Sequence, residues 1–118
     1  PNVTHTVLAS AARTTTQNVT LTNYNAQAIT AYLDMTVVGT GSVTLSIEEQ
    51  DVVSGTFTPL LTGAAVTTNS FNVYRVGPGL TAAANAVANA FVPRLLRISV
   101  VANNGNACTY SCGASLIV

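Results

Sequence analysis

Charge is what this sequence has least of. Only 7% of its 118 residues are charged, against about 25% in an ordinary soluble domain. The four cations are all Arg, balanced by four acids to a formal net charge of zero. Without a lysine or any excess of positive charge, the chain cannot neutralise a run of phosphates, so nucleic acid is not an expected partner. Tryptophan is absent and aromatics make up 6% of the chain, which weighs against the aromatic platform of a sugar-binding module. No apolar run approaches the roughly 20 residues of a membrane helix, so no membrane partner is expected. His5 is the only histidine, and there is no Gly-x-Ser-x-Gly elbow, phosphate loop or dinucleotide fingerprint. A hydrolytic triad therefore lacks its base; the expectation is no enzyme, no catalytic residue and no cofactor. The opening Pro1-Asn2-Val3-Thr4-His5-Thr6 has neither a basic nor an apolar region and does not read as a signal peptide. A leading Pro is also what removal of an initiator Met leaves, which fits synthesis in a cytoplasm.

What the chain does have is apolar content, 48% of its residues, spread along its length. That is enough for one domain with a sizeable core and too much for disorder. Thr and Asn take the place of ions, as in Thr14-Thr15-Thr16-Gln17-Asn18 and Asn103-Asn104-Gly105-Asn106. An uncharged polar surface can be covered by another protein without desolvating ions, the costly part of burial. The composition therefore suits an assembly component better than a free enzyme.

Period-two alternation dominates. Over residues 28–38, Ile29, Ala31, Leu33, Met35 and Val37 share one face, and Thr30, Tyr32, Asp34 and Thr36 the other. Gly39-Thr40-Gly41 follows, then Val43, Leu45 and Ile47 alternate with Thr44, Ser46 and Glu48; the pair reads as a β-hairpin. A second hairpin is expected where Leu96, Ile98, Val100 and Ala102 lead into Asn104-Gly105, a type I′ turn signal, and residues 107–118 return. In that return Cys108, Tyr110, Cys112, Ala114 and Leu116 share a face. Shorter strands are expected at 18–22 with Val19 and Leu21 inward, at 56–61 where Pro59 demands an edge or a bulge, and at 66–76 with an irregularity near Asn69-Ser70. Residues 3–8 read as a strand or an extended arm. The Ala- and Asn-rich stretch 80–91 reads as a long connection with a turn of helix. The fold expected is all-β: an antiparallel β-sandwich, jelly-roll-like, of about seven or eight short strands with that one long connection.

Sites for chemistry are few. Glu48, Glu49 and Asp51 are the only acidic cluster. They could hold Ca²⁺, but a charged strand end that discourages edge pairing explains them as well, and no metal is expected. Asp34 and the 48–51 cluster are the only candidates for a glycosidase pair. Four residues of regular strand span roughly 13 Å, whereas a disulfide needs Cα atoms within about 7 Å. Cys108 and Cys112 are thus expected buried and reduced, with a crossed pairing between subunits or a bulge as the alternatives. Arg75, Arg94 and Arg97 form no stripe, and their default is surface pairing. Asn2-Val3-Thr4 and Asn18-Val19-Thr20 match the glycosylation triplet, a frequent coincidence in a Thr-rich chain.

Residues 45–61, Leu-Ser-Ile-Glu-Glu-Gln-Asp-Val-Val-Ser-Gly-Thr-Phe-Thr-Pro-Leu-Leu, resemble a hairpin of small β-sandwich proteins of tailed bacteriophages. Val76-Gly77-Pro78-Gly79-Leu80-Thr81 and the ending Tyr110-Ser111-Cys112-Gly113-Ala114-Ser115-Leu116-Ile117 resemble them too. The likeness runs from Leu8 onward, and these proteins serve as head decoration, cement or minor structural proteins. The resemblance implies a capsid decoration protein on the outer surface of a virion, assembled in the host cytoplasm, with the major capsid protein as partner and a homotrimer as the favoured state. Residues 1–17 are then expected as an extended arm, with Val3, His5, Val7, Leu8 and Arg13 as the capsid-docking residues, and 18–118 as the sandwich domain. Two other roles stay open. One is a carbohydrate- or receptor-binding module of a fibre or tail, using Tyr32 and Asp34 with the Asn residues at 103–106. The other is a shell-forming jelly-roll capsid subunit.

Overall fold

The alternating segments form nine strands in a computed structural model that describes residues 1–118. In chain order they are β1 Val3–Arg13, β2 Gln17–Thr22, β3 Ala28–Val37, β4 Val43–Gln50, β5 Phe57–Thr62, β6 Ser70–Gly77, β7 Val87–Asn89, β8 Leu95–Ala102 and β9 Cys108–Ile117. One sheet has the order β1-β9-β3-β6-β7 and the other β2-β8-β4-β5. All pairs are antiparallel except the short β6–β7 ladder. With three-residue β7 set aside, the first strand pairs with the last, β2 with β8, β3 with β6 and β4 with β5. That nesting is a long hairpin rolled into two layers, the jelly roll.

The inner faces meet in one cluster of 22 buried side chains. Ile29, Ala31, Leu33 and Met35 of β3, and Cys108, Tyr110, Cys112, Ala114 and Leu116 of β9, face Leu45 and Ile47 of β4 and Leu96, Ile98 and Val100 of β8. Both thiols are free and buried. Pro59 lies on the edge strand β5, where Leu60 is passed over in the pairing of Ile47 with Leu61 and Glu48 with Pro59. Bulge and proline coincide, because proline has no N–H to give a ladder.

Several local expectations are corrected. β3 and β4 are no hairpin: the connection through Gly39-Thr40-Gly41 crosses from one sheet to the other. β8 and β9 are likewise in different sheets, and neither Asn104 nor Gly105 has a positive φ. The two crossing loops brace each other. The Asn104 and Asn106 side-chain amides both donate to the Thr40 carbonyl, at 3.2 and 3.3 Å, and a Cβ on Gly41 would collide with the Cys108 sulfur. Val37 is exposed and Val38 buried, because an irregularity in the β3–β9 register after Met35 reverses the alternation. The 80–91 stretch holds no helical turn: Ala83 and Val87 bond to each other around Asn85, at φ 62°, and the chain leaves as β7.

Residues 3–13, expected as part of an arm, are the edge strand β1, paired with β9 from Val3 to Arg13. Val7 is buried in the core and Leu8 packs against it. The arm reading missed the inward residues because two register shifts, at 6–8 and 8–11, break the period-two signal.

Candidate interaction surface

Glu48, Asp51 and Arg97 are occupied within the fold. Glu48 accepts from the Arg97 guanidinium at 2.6 Å across β4–β8, and the same guanidinium lies 3.9 Å from the centre of the Phe57 ring. Asp51 closes the β4–β5 turn. One carboxylate oxygen accepts from the Val53 N–H at 3.0 Å and the other from the Ser54 hydroxyl at 2.9 Å. Those bonds hold its carboxyl below the ordinary value. Asp34 is exposed on the outward side of the first sheet and Glu48 is on the outward side of the second, so two sheets separate Asp34 from Glu48, while Asp51 is held in its turn. No three His, Cys, Asp or Glu side chains gather in one place.

Of the five expected docking residues, only Val3 is an exposed large apolar side chain. His5, opposite Ala114, lines a cavity of about 110 Å³ with Asn23, Tyr24 and Leu116. Arg13 is bound to its own strand and its neighbour: it donates to the Ala9 carbonyl and, at 2.7 Å, to the Tyr110 carbonyl, so it clamps the β1 bulge. Burial pushes the Cys112 thiol up to about 12 and raises Cys108 as well, which leaves both as neutral thiols at physiological pH. The residues offered for sugar binding are only partly united. Tyr32 stacks on Phe71 with ring centres 5.8 Å apart, and Asp34 pairs with Phe71 in register. The Asn103 amide, however, donates to Ser42 and Thr44, and the Asn104 and Asn106 amides go to Thr40.

The feature that the linear pattern concealed is the contrast between the two ends of the sandwich. One end gathers the loops 23–27, 51–56 and 90–94 with both chain termini, as the pairings Thr22↔Leu95, Glu49↔Leu96 and Ala28↔Ile117 require. Here Tyr24, Val52, Val53 and Phe91 are 77%, 77%, 92% and 80% exposed, and Val3 and Val118 are exposed beside them. Asn23, itself buried, fixes two of these loops: its side-chain amide donates to the Ala26 and Val92 carbonyls, and its backbone N–H to the Arg94 carbonyl. The Arg94 guanidinium in turn lies 5.1 Å from the Tyr24 ring centre. The loops at the other end read Thr14-Thr15-Thr16, Gly39-Thr40-Gly41-Ser42, Thr67-Thr68-Asn69 and Asn103-Asn104-Gly105-Asn106. They carry no ion and are stitched together by side-chain hydrogen bonds: Thr16 accepts from the Ala102 N–H and Asn69 from the Val38 N–H. Large apolar groups held out in water cost free energy until something covers them, so the first end is the candidate contact surface.

A scan against known protein-family models finds no match, and a search of curated proteins finds none either.

Proposed function

We propose that this chain is a structural protein of a tailed-bacteriophage particle, a decoration protein that sits on the assembled head with its apolar end against the major capsid protein. The observation that carries the reading is the polarity of the sandwich: Tyr24, Val52, Val53 and Phe91 at one end, and an ion-free, hydrogen-bonded Thr and Asn surface at the other. The resemblance of residues 45–61 to hairpins of such proteins agrees with it, since that segment contains the Val52-Val53 tip. The mechanism is mass action. A protein that binds only the assembled shell lowers the free energy of that shell relative to any other state, and it needs no chemistry to do so. The docking element moves from the N-terminal arm to the loop end, with Val3 as the one arm residue retained there. Adding purified chain to heads that lack it tests the proposal. Wild type should bind saturably, and Val53→Asp should bind much more weakly while folding normally, because the tip touches nothing in the core. Equal binding by the variant would overturn the role of this end.

One observation favours a second reading. The Tyr32–Phe71 stack beside Asp34, with Tyr32 half-buried and Phe71 exposed, is a small aromatic platform of the kind a sugar ring can lie on. Saturable glycan binding that is lost in Phe71→Ala would make the chain a receptor-binding module instead.

A further inference from the structure

The first sheet is left incomplete along half of β6. Its partner β7 pairs only with Arg75, Val76 and Gly77, and the turn around Asn85 then carries the chain away. The Arg75 N–H donates to the Ala86 carbonyl at 2.8 Å, so Arg75 directs its backbone groups toward the β7 side. By the two-residue period of a strand, Val73 and Phe71 direct theirs the same way, and no group of the chain accepts or donates there. The opening beside them is a groove of about 330 Å³ lined by residues 64–68, 70–74, Asn85 and Ala86, the last at the end where β7 begins. None of its lining side chains is charged.

We propose that this groove takes an extended, uncharged peptide segment of another protein chain as an added strand. Three observations select that occupant. Alternate residues Phe71 and Val73 each offer a donor and an acceptor on one line, and another extended backbone satisfies both at that spacing. The absence of ions from its lining favours uncharged side chains, since a buried unpaired charge is costly. β7 closes the open run at Arg75, which leaves room for a short extended segment beside Phe71 and Val73. The guest's side chains alternate accordingly: one row beside Phe71 and Val73 on the outer surface, the other toward Tyr74 and Val66 between the layers. Of the other sheet edges, β5 is blunted by Pro59 and β1 by its two register shifts, and β2 is six residues long. This site lies along the side of the sandwich and does not depend on the virion reading, so it can stand if that reading fails.

The test uses the full chain and a blocked peptide, acetyl-Thr-Val-Ser-Val-Thr-Val-amide, followed by amide NMR and hydrogen exchange. Saturable shifts confined to residues 64–68, 70–74 and 85–86 are expected, with exchange at Phe71 and Val73 slowed by about tenfold or more. Val73→Pro removes the outward N–H at a position where an unpaired edge tolerates proline. It should abolish the response while the rest of the amide spectrum stays in place, and a peptide N-methylated at alternate residues should not bind. No shift at millimolar peptide would overturn the proposal, as would equal binding by the N-methylated peptide. If Phe71 and Val73 instead became protected with rising protein concentration and no peptide, the occupant would be a second copy and the commitment to a foreign strand would be wrong. Should Val73→Pro fail to fold, Ala65→Lys, at an exposed position of the lining, should weaken peptide binding on its own; unchanged affinity there would also count against it.

Discussion

Asp51 is fully exposed, yet it holds the tip of the β4–β5 turn through the Val53 N–H and the Ser54 hydroxyl. Both bonds favour the charged carboxylate, so its folded pKa lies below the ordinary 3.8. A depressed pKa contributes stability that is present above the unfolded value and lost as pH falls through the folded one. Melting temperature should therefore fall less steeply below pH 3.8 in Asp51→Asn than in wild type; identical acid profiles would mean that the turn does not depend on this charge. The cysteines make the opposite kind of residue. Cys112 is raised to about 12 by burial, and Cys108 is raised by the same cause, so neither is a nucleophile in the folded chain. A thiol reagent at mildly alkaline pH should label both only at the rate of unfolding, and at once in denaturant. Rapid labelling of the native protein would contradict the packing described for β9.

At the scale of elements, β1 belongs to the sandwich. It covers the whole of β9 and supplies Val7 and Leu8 to the core. Deleting residues 1–12 should therefore lower stability, by an amount in the range of about 2–5 kcal/mol for the loss of one large buried side chain and more for the pair, with unfolding followed by circular dichroism. A truncated chain as stable as wild type would restore the arm. The strands themselves were legible because alternation is a local property. β3, β8 and β9 bury the residues read from their periodicity, apart from the exposed Val37 and the half-buried Ala102, and Pro59 marks an edge bulge. Which sheet each strand joins was not legible, because a hairpin and a crossover begin from the same alternating run. At Gly39-Thr40-Gly41 and Asn104-Gly105 the turn residues fit a hairpin in isolation. They instead serve two loops that bind each other through Thr40, a partnership more than sixty residues apart in sequence. Asn85 carried no signal for its left-handed turn beyond being an Asn in an Ala-rich stretch. The candidate contact surface was hidden for the same reason: Tyr24, Val52-Val53 and Phe91 are distant in sequence and come to one end only once the roll is closed.

The whole molecule measures 38 × 30 × 25 Å and is asymmetric end to end in polarity: the Thr and Asn loops carry no ion, while Asp51 and Arg94 lie at the apolar end, engaged with its own loops. Such a body has a preferred way to sit: large apolar groups toward a partner, Thr and Asn toward water. Salt should matter little to that contact, since screening acts on ions and the two side-chain ions in its loops, Asp51 and Arg94, are engaged with neighbours of their own end. The measurement that tests the account most directly is the orientation of the bound chain, read from an image reconstruction of heads saturated with it. The account predicts the 23–27, 51–56 and 90–94 loops against the shell and the 14–16 and 103–107 loops in solvent. Density with those ends reversed, or heads that bind none of the chain, would contradict it.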